Sequence, residues 1–124
     1  MKKCVLAGVL CLLLAGCDNK DMTGVATEYG EYVVRLSLDA PDSATFSGST
    51  FYPNAENGAD VTSGYVCGEV RAKSARYGYI YNAPYYVYVR VTENGSKKFA
   101  GVPKVFDGQT EKSKQDYALL CKAQ

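Results

Sequence analysis

The sequence predicts an α+β fold: a single small domain with an N-terminal helix, an antiparallel sheet of about three to five strands, and a C-terminal helix pinned by one disulfide. Three patterns predict it. Val25, Tyr29, Tyr32, Val33 and Leu36 recur at the three- and four-residue spacing of one helix face. Tyr85, Val87, Val89 and Val91 alternate with Tyr86, Tyr88, Arg90 and Thr92, the period of a half-buried strand. Asn94-Gly95, directly after that strand, is preferred chemistry for a tight hairpin, so its partner is adjacent and antiparallel.

In chain order, the helix of 25–36 carries Glu28, Glu31 and Arg35 off its apolar face. Gly30 weakens it by about 1 kcal/mol relative to alanine, and Pro41 ends it, because the residue before a proline is pushed out of helical geometry. Thr45 to Tyr52, rich in threonine and aromatic residues, predicts a strand. Residues 53–58, Pro-Asn-Ala-Glu-Asn-Gly, predict a loop that nothing in their composition orders tightly. Tyr65 to Val70 begins a central strand, Lys97 to Val102 is the returning strand of the hairpin, and Pro103 and Asp107-Gly108 interrupt the pattern. Glu111 to Cys121 reads as the closing helix, with Tyr117, Leu120 and Cys121 inward. There is no internal repeat, low-complexity tract or second domain.

The first residues carry an address. Lys2 and Lys3 precede an almost unbroken apolar run from Val5 to Ala15, too short to span a bilayer comfortably, and the run closes on Leu14-Ala15-Gly16-Cys17. This charged, apolar and cleavage order is that of an export signal, and the last four residues resemble the lipobox of bacterial lipoproteins. That resemblance implies cleavage before Cys17, acylation of its sulfur and amine, residues 1–16 as signal peptide, 17–24 as lipidated tether and 25–124 as a periplasmic domain. An uncleaved membrane anchor is the alternative. Asp18-Asn19 resembles the inner-membrane retention signal of enteric lipoproteins, with the outer membrane as the other destination.

Cleavage removes Lys2 and Lys3, taking 14 basic residues to 12 against 13 acidic ones. So balanced a chain, without a basic run, carries no electrostatic footprint for nucleic acid, and its membrane attachment comes from acyl chains on Cys17. Cys4 and Cys11 leave with the signal and Cys17 is acylated, so Cys67 and Cys121 remain to pair. An oxidising compartment and a small core both favour that disulfide, and closing a loop of about 54 residues contributes on the order of 4 kcal/mol in the chain-entropy model. A redox or metal role fits poorly, since there is no Cys-x-x-Cys and no histidine.

Ala40-Pro41-Asp42-Ser43-Ala44-Thr45-Phe46, followed by Val66-Cys67-Gly68-Glu69-Val70-Arg71-Ala72-Lys73, resembles a group of small, largely uncharacterised bacterial and phage-associated proteins. Their helix ends in a Pro-Asp/Ser-Ser-Ala-x-Phe turn, before a Cys-Gly-Glu-Val strand and a glycine- and aromatic-rich loop. The likeness covers roughly residues 25–92 and implies a fold, not a reaction. The chain departs from the pattern after the strand, where Ser74-Ala75-Arg76-Tyr77-Gly78-Tyr79 replaces a more asparagine- and glycine-rich loop. Ser74-Ala75-Arg76-Tyr77 also resembles the Ser-Gly-x-Arg-Tyr loop of membrane-bound lysozyme inhibitors, without its glycine and with a different disulfide layout.

Tyrosine is the unusual choice, 11 residues with no tryptophan. Tyr77, Tyr79, Tyr81, Tyr85, Tyr86 and Tyr88 crowd one segment with Arg76 and Arg90, and such rings beside arginine suit recognition surfaces. Tyr85 belongs with its alternating valines in the core. Tyr77, Tyr79 and Tyr81, with Arg76, sit in a glycine-containing loop, where a partner surface and a packing role remain equal readings. No catalytic residue is expected: without histidine, Ser/His and Cys/His nucleophiles are excluded. Asp39 with Asp42, or Glu69 with Asp60, could approach each other, but nothing in their spacing separates a catalytic dyad from a solvated surface. No metal and no cofactor is expected. Two functions remain: a lipid-anchored periplasmic binding module that meets an envelope or incoming protein, as immunity, exclusion and inhibitor lipoproteins do; or a structural accessory subunit docked into a larger envelope complex.

Overall fold

A computed structural model describes residues 22–55, 57–58, 60–106 and 110–122. The signal and lipobox, Cys17, Asp18 and the break at Asp107-Gly108 lie outside the described residues. Among those described, no helix is long and apolar enough to cross a membrane.

The alternation that marks 85–92 extends into a 13-residue strand, and so does its neighbour. In chain order the elements are helix α1 (Thr23–Leu36), a 3-10 turn (Pro41–Ser43), β1 (Thr45–Pro53), β2 (Val61–Lys73), β3 (Ile80–Thr92), a turn at Glu93–Gly95, β4 (Lys97–Ala100), β5 (Lys104–Val105) and α2 (Glu111–Leu120). All strand pairs are antiparallel, in the order β1-β2-β3-β4, with β5 also on β3. Val66 faces Val87, Val70 faces Ala83 and Gly68 faces Tyr85, so the inward residues of the two central strands fall on one face. Ala26 and Val34 of α1 close that core with Val66, Val70, Ala83, Tyr85, Val87, Val89 and Val91.

The helix begins at Thr23, two residues inside the expected tether. Its buried positions are Ala26, Gly30 and Val34, with Val25, Tyr29 and Val33 half-buried. The expected face is therefore turned: Tyr32 and Leu36 are exposed. Gly30 explains the difference. A Cβ there would lie 2.7 Å from both Cβ and Cγ2 of Val66, so its absence lets the backbone of α1 rest on β2. Periodicity searched with large side chains misses a face built on small ones.

The Pro-Asp-Ser-Ala-x-Phe segment fastens the helix exit to the sheet. Pro41 opens the 3-10 turn, the Ser43 hydroxyl donates to Ala40 O at 2.7 Å and accepts from Lys73 N at 2.9 Å, and Ala44 is buried. Arg35 donates to Pro41 O and Ala44 O at 2.9 and 3.2 Å, with its guanidinium carbon 5.3 Å from the centroid of the Phe46 ring. Phe46 in turn meets Tyr85 edge-on at 5.5 Å. In the Cys-Gly-Glu-Val segment, Gly68 sits opposite an irregularity between Ser47 and Thr50, where a Cβ would press on the β1 backbone at 3.0 Å. Glu69 is exposed on the other face, as alternation requires.

Three features depart from expectation. The 53–58 loop is ordered by Asn57: its Oδ1 accepts from Ser63 N and Oγ at 3.0 and 2.8 Å, while its Nδ2 donates to Ser63 O at 3.1 Å, satisfying a buried serine. The returning strand stops at Ala100. Gly101 to Pro103 place one extra residue against β3 before Lys104–Val105 rejoins it, a bulged edge that Pro103 signals but does not define. Tyr81 lies not in a loop but in β3, paired with Ala72 and half-buried.

Cys67, buried on the outer face of β2, is joined to Cys121 just after α2, with Cα atoms 6.0 Å apart. The predicted disulfide and closing helix are present. Thr110 and Ser113 form a reciprocal cap at the start of α2, at 3.1 and 2.9 Å. No described residue of that helix is fully buried; Tyr117 and Leu120 are half-buried.

Candidate functional site

The β2–β3 connection is a built turn. Ser74 N donates to Tyr79 O at 2.8 Å, Gly78 N donates to Ser74 O at 2.7 Å, and Tyr77 N donates to the Ser74 hydroxyl at 3.1 Å. Ser74 is buried, and Gly78 has a φ of +78°, which side chains rarely adopt. The serine thus holds the turn from below, and the glycine reverses it so that its flanking tyrosines come together.

Tyr77 and Tyr79 stack at 6.0 Å between centroids with planes 11° apart. Tyr79 meets Tyr81 edge-on at 6.2 Å, and the Arg76 guanidinium carbon lies 5.6 Å from the centroid of the Tyr77 ring. Tyr77 is 68% exposed and Tyr79 47%. The two exposed rings, with Tyr81 beside them, form one aromatic shelf.

The shelf forms one wall of an open cleft of about 860 Å³. All four residues selected from the sequence, Arg76, Tyr77, Tyr79 and Tyr81, line it. The opposite walls are Ser37, Leu38 and Asp39, where α1 ends, and Pro103 and Val105 of the bulged edge. The structure brings the four together and adds two walls that sequence reasoning missed. The helix exit could have been suspected, since Leu38 is an apolar residue outside the helical pattern. The edge contribution depends on a bulge that has no local signature beyond Pro103.

Chemically the cleft offers aromatic faces, phenol hydroxyls, one guanidinium and one carboxylate. These groups suit recognition by stacking and hydrogen bonding. Among the described residues no three of His, Cys, Asp and Glu gather as metal ligands would.

A second aromatic group, also missed, lies on the outer face. Tyr65 meets Tyr86 and Tyr88 edge-on at 5.8 and 5.6 Å, Tyr86 contacts Phe106 at 5.6 Å, and Tyr88 contacts Phe99 at 6.5 Å. Burial raises the phenol pKa of Tyr86, reinforced by the negative charge of Asp116; burial likewise raises that of Tyr117, reinforced by Tyr52 and Glu69. The alternation of β3 signals this row, because Tyr86 and Tyr88 must face away from the buried Tyr85 and Val87.

Compared with protein-family models, curated proteins and solved structures, the chain finds no match.

Proposed function

We propose that this chain is a lipid-anchored periplasmic binding module, not an enzyme, and that it presents the Arg76–Tyr81 shelf and its cleft to an envelope or incoming protein. The observation that carries the reading is convergence. Four residues singled out from the sequence line a single cleft, with the exposed rings of Tyr77 and Tyr79 stacked along it. Tyrosine and arginine are the side chains on which binding energy concentrates, because they contribute large contact area at small entropy cost. The anchor rests on Leu14-Ala15-Gly16-Cys17, and Asp18 favours the inner membrane over the outer.

Tyr77→Ser with Tyr79→Ser tests the reading. Both rings are exposed, so the doubly substituted chain is expected to keep its free energy of unfolding to within about 0.5 kcal/mol. Partners captured from intact envelopes by the acylated native chain, identified by mass spectrometry and titrated against both purified forms, are expected to bind the variant at least tenfold more weakly. Equal binding by the two forms refutes the cleft as the site. It would move an accessory subunit, docked through the outer row of Tyr65, Tyr86 and Tyr88, to the front.

A further inference from the structure

At the end of the sheet away from the tyrosine cleft, Arg90, Thr92, Lys97, Lys98 and Phe99 line a shallow cleft of about 270 Å³ on the outer edge. Arg90 stands opposite Phe99 and Thr92 opposite Lys97, so two cations share the outer face with a phenylalanine ring that is 60% exposed. Lys98 stands opposite Val91 and belongs to the other face of this edge strand. Glu93 pairs with Lys97 at 3.2 Å. No salt bridge to Arg90 or Lys98 occurs among the described residues. Asp60 precedes Val61, which pairs with Thr92, but does not line the cleft.

The position of this cleft is tied to the N-terminus. A Cβ on Gly95, in the β3–β4 turn, would lie 3.6 Å from the sulfur of Met22 and 3.9 Å from Cγ1 of Val25, so the turn sits beside the start of α1. From Met22 back to Cys17 the chain has five residues, a reach of at most about 18 Å even when fully extended. The other end of the sheet, with Ser74 to Tyr79, lies a 13-residue strand away, about 43 Å at the usual rise.

We propose that the Arg90–Lys97–Phe99 cleft is a phospholipid-headgroup site, which seats the β3–β4 end on the bilayer and turns the tyrosine cleft away from it. The inference rests on acylation of Cys17, as the proposed function does. Acyl chains hold the N-terminus of α1 at the lipid surface, and the short reach from Cys17 leaves the β3–β4 turn as a neighbour of the headgroups. Arg90 and Lys97 supply donors to a phosphate, and Phe99 inserts at the interface. The near-neutral net charge of the whole chain does not oppose this, because the interaction is local to one edge and falls off within a Debye length.

The chain has no tryptophan, so a single one reports its own surroundings. Phe99→Trp and, separately, Tyr77→Trp would be prepared as the acylated full chain, with the mass of the N-terminal peptide recorded first. Each would be placed in vesicles of phosphatidylcholine with and without phosphatidylglycerol, the lipids carrying a quencher at the headgroup. The expected result is at least twofold quenching at position 99, stronger with phosphatidylglycerol, and no quenching at position 77. Arg90→Glu with Lys97→Glu in the Phe99→Trp chain is expected to abolish the phosphatidylglycerol-dependent part while unfolding stays unchanged. An acylated chain quenched equally at both positions, or at neither, overturns the headgroup site and leaves the anchor standing. An unacylated Cys17 overturns both.

Discussion

Gly30→Ala separates two accounts of α1. Helix propensity alone predicts stabilisation of up to about 1 kcal/mol, because alanine loses less backbone entropy. The geometry predicts the reverse. The new methyl would meet Val66 Cβ and Cγ2 at 2.7 Å and Cγ1 at 3.0 Å, all on a fully buried side chain in the central strand. Overpacking at such a site costs about 1–3 kcal/mol in shifted backbone and displaced rotamers. The net expectation is destabilisation by up to about 2–3 kcal/mol. Val66→Ala removes the two γ-carbons but keeps Cβ, so the double substitution is expected to recover part of the overpacking, about 0.5–1 kcal/mol relative to the sum of the two single effects. Urea unfolding of the oxidised protein, followed by tyrosine fluorescence and circular dichroism, measures all four corners of this cycle. A Gly30→Ala chain as stable as the native one, or more so, with additive behaviour in the double substitution, would refute the close seating of α1 on Val66.

Removing the bridge with Cys67→Ser and Cys121→Ser is expected to cost up to about 4 kcal/mol; because no residue of α2 is fully buried, hydrogen exchange should show its amides losing protection before those of β2 and β3. Arg35→Met keeps the aliphatic stem but loses the bonds to Pro41 O and Ala44 O and the contact with the Phe46 ring; about 1.5–3 kcal/mol of destabilisation is expected in urea titrations. Tyr85→Phe breaks the 2.5 Å hydrogen bond with the Ser49 hydroxyl and should cost about 1 kcal/mol near neutral pH. It should also change the alkaline limb of stability. Burial, opposed by the Ser49 bond, raises the Tyr85 pKa from 10.0 to about 12, so the folded state keeps a proton that the unfolded state releases. That contribution is intact below pH 10 and is lost as pH rises through about 12, a decline of about 2 kcal/mol in the native chain that Tyr85→Phe should largely remove.

The fold was legible wherever one periodicity or one covalent constraint dominated. The alternation in β3, the Asn94-Gly95 reversal and the pairing of Cys67 with Cys121 each left few arrangements open. What was not legible depended on partners distant in sequence. The inward face of α1 is chosen by Gly30 meeting Val66, and no reading of the helix alone favours a glycine as its contact point. The order in the 53–58 loop comes from Asn57 satisfying Ser63, which only the closed hairpin brings together. Of the cleft, the aromatic wall could be named from composition, because tyrosines clustered beside arginine are conspicuous. The walls from Ser37 to Asp39 and from Pro103 to Val105 are products of tertiary assembly.

The two motifs that most distinguish the chain as a sequence are occupied with holding the fold. Pro41, Ser43, Ala44 and Phe46 fasten the helix exit to β1 and β2, through Arg35 and the Lys73 amide. Cys67, Gly68 and Val70 supply the bridge, the close approach to β1 and a core side chain. Substituting any of them would therefore act first on stability, and loss of binding in such a variant would say nothing about a binding face. The stretch that follows the second motif, Ser74 to Tyr79, has the opposite character. Its backbone is fixed by Ser74 and Gly78, while Arg76, Tyr77 and Tyr79 make few demands on the core. Rigid backbone beneath exposed aromatic side chains is the condition under which a surface can be altered without disturbing the scaffold. Specificity is accordingly expected to follow the identity of residues 75–79: exchanging them for a Gly/Asn-rich turn that preserves Ser74 and Gly78 should leave the unfolding midpoint unchanged and abolish partner binding. A loss of stability above about 1 kcal/mol in that exchange would place the shelf in the core instead.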